Sequence, residues 1–165
     1  MEYHIKKNID YRHEIEFANT LIELDVYRML TILHSSESLH SVKPEPYGWM
    51  FLAWQFEQSE VYRIVFNLSI SARNILDKTK IQNISTLIAG KLEEKNTVID
   101  LTFREACNKI VHSEHINFDL INPTSVHDHE GLREFIYVYG KKGKNEWKAT
   151  INLLQFADMI MRVHG

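Results

Sequence analysis

The chain has 165 residues, 44% of them hydrophobic, which is enough for a core without a stapling metal or disulfide. With 6 Gly and 3 Pro, it does not read as collagen-like, Pro/Gly-rich disordered or turn-dense all-β. A formal net charge of −3 argues against a general backbone-coating nucleic-acid binder, so any phosphate site must be local.

Length favours one domain over residues 1–165. The single cysteine, Cys107, cannot form an intrachain disulfide, and Met1 to Asp10 shows no apolar signal region. Both point to a cytoplasmic protein. The apolar stretch Trp49 to Trp54 is far shorter than the roughly 20 residues a membrane span needs.

The first helix is expected from Asp10, as N-cap, to Leu33, with apolar residues three or four apart. Ser35 to Gly48, containing Pro44 and Pro46, reads as a loop. Trp49 to Lys80 is a long helix, apolar on most faces, as in the centre of a bundle; Trp49, Trp54 and Phe56 read as core or dimer-interface residues. Asn83 or Ser85 is expected to cap a short helix over Ile84–Ala89, closed by Gly90. Lys91 to Thr97 reads as an exposed charged loop.

Thr102-Phe-Arg-Glu105 fits a capping box and starts a helix running to Ser113. Residues 133–151 read as a β-hairpin with Lys141, Lys142 and Lys144 at its tip, and Asn152 caps a last helix, Leu153 to Met161. No internal repeat is visible. The expected fold is mainly α: a bundle of four or five helices with a small C-terminal hairpin.

The helix around Cys107 carries the chemistry. On a wheel advancing about 100° per residue, Phe103, Ala106, Cys107, Ile110 and Val111 share an apolar arc. Arg104, Glu105, Asn108, Lys109 and His112 share the polar one, and Arg104, Asn108 and His112 form a ladder at steps of four. Such a ladder suits RNA phosphate. His112 moves a proton near neutral pH, Arg104 stabilises phosphoryl charge through its fork of donors, and Asn108 orients them. Glu105 and Lys109 flank the ladder, and Arg73 is a second cation able to face the same helix.

Arg104-Glu-Ala-Cys-Asn-Lys-Ile-Val-His112 resembles the late-helix motif of HEPN-type domains. Asn108 to His112 agrees with that motif's ending, whereas Cys107 stands where the family's Arg most often does and Arg104 lies one turn back. The resemblance implies a helical bundle acting as a metal-independent ribonuclease of a toxin or anti-phage system, with no cofactor and with two copies pairing as a homodimer. A different class of function is a non-catalytic interaction or scaffold domain with a protein partner.

Three other constellations compete. His112, His115, His127 and His129 fall close enough in sequence for a Zn²⁺-type reading, without a strong spacing template. Cys107 projects into the apolar arc, where a thiol packs as an inert hydrophobe. The basic hairpin tip, with Tyr137, Tyr139 and Trp147, offers phosphate contacts and base stacking.

Overall fold

A computed structural model describes residues 11–40, 48–79, 83, 86–121 and 131–164. Asp10, the stretch with Pro44 and Pro46, His127 and His129 lie outside the described residues. The elements are α1 (Tyr11–His40), α2 (Gly48–Thr79), β1 (Ile88–Glu94), β2 (Thr97–Thr102), α3 (Phe103–Val111), β3 (His115–Leu120), β4 (Leu132–Lys142), β5 (Asn145–Asn152) and α4 (Leu153–His164).

The mainly-α expectation is overturned. The five strands form one antiparallel sheet in the order β2-β1-β5-β4-β3, so the fold is α+β. Of the segment read as a short helix and charged loop, Ile84 and Ser85 lie outside the described residues, while residues 88–97 belong to the β1–β2 hairpin. Its turn, Lys95-Asn96, has φ of 52° and 63°, which matches a type I′ turn built without glycine. Gly90 is a strand residue where β1 meets β5, and a Cβ there would stand 1.9 Å from the Thr150 carbonyl oxygen. Only glycine lets these strands approach so closely.

The C-terminal hairpin is where the sequence put it, slightly longer. Its two-residue turn starts at Gly143, whose φ of 64° suits the first central position of a type II′ turn. β3 was not foreseen. It pairs with β4 through Ile116 opposite Val138 and Phe118 opposite Ile136.

Alternation assigns the two sheet faces. Leu92, Ala149, Val138, Ile136 and Ile151 are buried on one face, against α3 and α4. Lys91, Asp100, Lys148, Tyr137, Tyr139 and His115 sit on the other. The α1/α2 hairpin packs over α3 and α4, so these two short helices lie between it and the sheet.

α1 continues through the expected loop start. Ser35 and Ser38 hydroxyls donate to the carbonyls of Ile32 and His34, which keeps the polar residues compatible with helix. Ser36 is fully buried; its hydroxyl donates to Glu57 and accepts from the Leu132 amide, each at 2.7 Å, tying α1 to α2 and β4.

A repeat of topology also emerges. β1–β2–α3 and β4–β5–α4 are both a hairpin running straight into a helix through a polar cap residue, Thr102 or Asn152. No long strand of matching residues betrays it in the sequence, because only the buried positions correspond.

Candidate functional site

α3 links the two edges of the sheet, from β2 to β3, and lies beside α2. Its start is fixed by the expected capping box. The Thr102 hydroxyl accepts from the Glu105 amide at 3.3 Å, and the Glu105 carboxylate accepts from the Thr102 amide at 3.4 Å and its hydroxyl at 3.0 Å. Glu105 is thereby a helix-capping residue. Phe103, Ala106, Cys107 and Ile110 are buried, as the wheel requires.

The polar side divides into engaged and open residues. The Arg104 guanidinium pairs with Asp77 on α2 at 2.5 Å, both groups largely exposed. Lys109 turns towards the sheet, its ammonium 4.0 Å from the centre of the Trp147 ring. Burial lowers the Lys109 pKa below the ordinary lysine value, Lys142 adds to that, and Glu94 and Glu105 oppose it. Asn108 is half-buried and His112 exposed, and neither side chain has a hydrogen-bond or ionic partner among the described residues. His112 closes the helix as its C-cap, its amide donating to the Asn108 carbonyl at 3.0 Å.

Arg73 sits one turn before Asp77 on α2 and has no carboxylate partner among the described residues. Asp77, one turn on from Arg73, pairs instead with Arg104. Arg73 is half-buried on α2, the helix that packs along α3; burial pushes the Cys107 thiol up to about 12, and the charges that pull it down are first Arg73 and then Arg104. The facing helices α2 and α3, which meet in a seam, therefore carry two guanidinium groups, Arg73 and Arg104, of which Arg104 pairs with Asp77. Cys107 itself is a buried, neutral thiol.

Arg104 and His112 are eight residues apart, about 12 Å along a helix axis, whereas Asn108 and His112 are about 6 Å apart. The ladder thus does not focus Arg104 and His112 on a single phosphate. Arg73, Asn108 and His112 are the open groups of the seam.

The competing constellations come apart. No group of three or more metal-type side chains forms among the described residues, and the histidines at 127 and 129 fall outside them. At the hairpin tip, Lys141 lies near Glu114 and Glu146 at 3.9 and 3.7 Å. Trp147 is buried on the face opposite Tyr137 and Tyr139, so the three aromatics form no common platform. Phe56, read as core or interface, is exposed at 54%, whereas the side chains of Trp49 and Trp54 lie outside the description.

The chain matches no family model, no curated protein and no solved structure. No helix among the described residues is long and apolar enough to cross a membrane.

Proposed function

We propose that this protein handles RNA phosphate along the α2–α3 seam, as the HEPN-like motif from Arg104 to His112 implies, on an α+β fold rather than that family's helical bundle. The observation carrying this reading is the set of open groups there: the Arg73 guanidinium, without a partner among the described residues, on the helix packed along the one that presents Asn108 and His112. Arg73 and Asn108 hold the phosphate, and Arg104, anchored by Asp77, adds positive charge at its far end. The exposed Arg104–Asp77 pair contributes little to stability, so an incoming phosphate competes with it at small cost.

His112 is the proton-transfer group of the cleavage step. It takes the proton of a ribose 2′-hydroxyl while that oxygen bonds to phosphorus. The bond from phosphorus to the 5′-oxygen breaks, and the proton goes back to the leaving oxygen. The products are a cyclic phosphate and a free 5′-hydroxyl, with no redox change and no metal required. The homodimer that the resemblance implies would cover the side of α2 where Leu52, Phe56 and Ile70 are exposed.

The test is cleavage of single-stranded RNA in the presence of chelator. Wild type is expected to cleave, His112→Ala to lose about a hundredfold or more in rate, and Arg73→Ala to bind RNA more weakly. Equal rates for wild type and His112→Ala would end the His112 mechanism.

A further inference from the structure

Beside His112 the seam opens into a cavity of about 530 Å³, between α2 and the start of β3. Gln55, Gln58 and Tyr62 form its helical wall, Ser113 and His115 one end, and Phe118 an apolar patch. Its chemistry differs from that of the seam. Neither Lys nor Arg lines it among the described residues, so it is not built for phosphate. Its polar groups are the glutamine amides, the serine and tyrosine hydroxyls, the His115 imidazole and the Glu114 carboxylate, which lies 3.9 Å from the Lys141 ammonium. Gln55 and Gln58 lie three residues apart on one side of α2, both exposed and without a side-chain hydrogen bond among the described residues. Each amide offers two donors and an acceptor, the complement of a base edge.

Tyr62 adds a stacking surface. Its ring rests on Phe66 with centroids 6.1 Å apart and 28° between planes, which fixes its orientation, and 44% of the residue remains exposed. Unstacked bases of single-stranded RNA are read by this combination of aromatic stacking and edge hydrogen bonds.

We propose that the α2–β3 cavity binds the nucleobase adjoining the phosphate held by Asn108 and His112. This rests on the RNA reading above. Position decides which end of the seam the base occupies: Ser113 of the cavity follows His112 directly, while the Arg104 end is closed by Asp77. The seam supplies positive charge without base discrimination, and the cavity supplies discrimination without a cation.

The experiment titrates the full chain with inorganic phosphate and with each of the four nucleoside 3′-monophosphates, following amide NMR shifts. Wild type is expected to bind at least one nucleotide about tenfold tighter than inorganic phosphate, with shifts at Gln58 and Tyr62. The Gln55→Leu/Gln58→Leu double variant and Tyr62→Ala, both altered at exposed positions, are expected to lose about tenfold for that nucleotide while binding phosphate as wild type does. Nucleotides binding wild type no tighter than phosphate, or variants retaining the full preference, would overturn the cavity assignment and leave the seam standing. Absence of any shift at Arg73, Asn108 and His112 with every ligand would remove the RNA reading and this inference together. An extended peptide that perturbs the β3 amides, where no nucleotide does, would also overturn it.

Discussion

The two hairpin–helix units, residues 88–111 and 132–164, share one packing plan and differ in what they leave open. Their buried positions correspond at a constant offset of fifty residues: Leu101 with Ile151, Phe103 with Leu153, Ala106 with Phe156, Cys107 with Ala157 and Ile110 with Ile160. Phe103 and Phe156 meet across the units, ring centroids 5.5 Å apart. The polar sides diverge. On α4 the residues matching Asn108 and His112 are Asp158 and Arg162, which satisfy each other at 2.8 Å. On α3 the same positions carry Asn108 and His112, which have no such partner among the described residues. The position of Lys109 is taken on α4 by Met159, buried at 7% exposure. α4 also ends closed, with the His164 side chain 6% exposed and 3.6 Å from Glu23, whereas α3 ends open at His112. One framework thus serves as a packing unit in the second copy and presents open polar chemistry in the first.

The join between the units is the place to break this comparison hardest. Gly90→Ala sets a Cβ against the Thr150 backbone, which cannot move without displacing β5. A loss of about 3 kcal/mol or more is expected in urea unfolding, an overpacking cost at its upper end. A change within about 0.5 kcal/mol would mean the strands separate easily, and the units would not be one sheet.

The caps sharpen the comparison more gently. Thr102→Ala and Asn152→Ala are each expected to cost about 1 kcal/mol. Asn152 should cost at least as much, because its carboxamide oxygen accepts from both Leu154 and Gln155 amides at 3.0 Å. A negligible effect at either cap would show that the corresponding helix start is held by tertiary packing alone.

The smallest effect distinguishes Cys107 from its counterpart Ala157. Burial raises the thiol from the ordinary 9.0 to about 12, so the folded state favours the neutral form. That contribution is fully present below pH 9 and is lost as pH rises from there towards about 12. Lys109 works the other way, since its lowered pKa relieves a penalty as pH rises. The difference between wild type and Cys107→Ala isolates the thiol. Wild type should lose stability more steeply above pH 9, and parallel curves would contradict the burial of the sulfur.

Much of the local structure was legible in the sequence. The long apolar runs of α1 and α2, the capping box at Thr102 and the aromatic, β-branched β4 each carry a strong signal of their own. The sheet was not legible, for reasons that lie in particular residues. β1 and β2 stand at one side of the sheet, where Lys91, Glu93, Val98 and Asp100 face away from the helices, so the alternation is short and reads as a charged loop. The Lys95-Asn96 turn reaches positive φ without glycine, so neither Gly nor Pro marks the turn of this hairpin. For the site, the wheel separated buried from polar positions on α3 correctly. It could not show that Glu105 caps the helix, that Lys109 lies over Trp147, or that Asp77 takes Arg104 and leaves Arg73 open, because each depends on a neighbouring element.

The most direct test of the seam is to map a short single-stranded RNA onto the full chain by NMR. The account predicts shifts concentrated at Arg73, Asn108 and His112, and their loss in Arg73→Ala. Shifts confined to the open sheet face and hairpin tip, at Tyr137, Lys141 and Lys144, would contradict it.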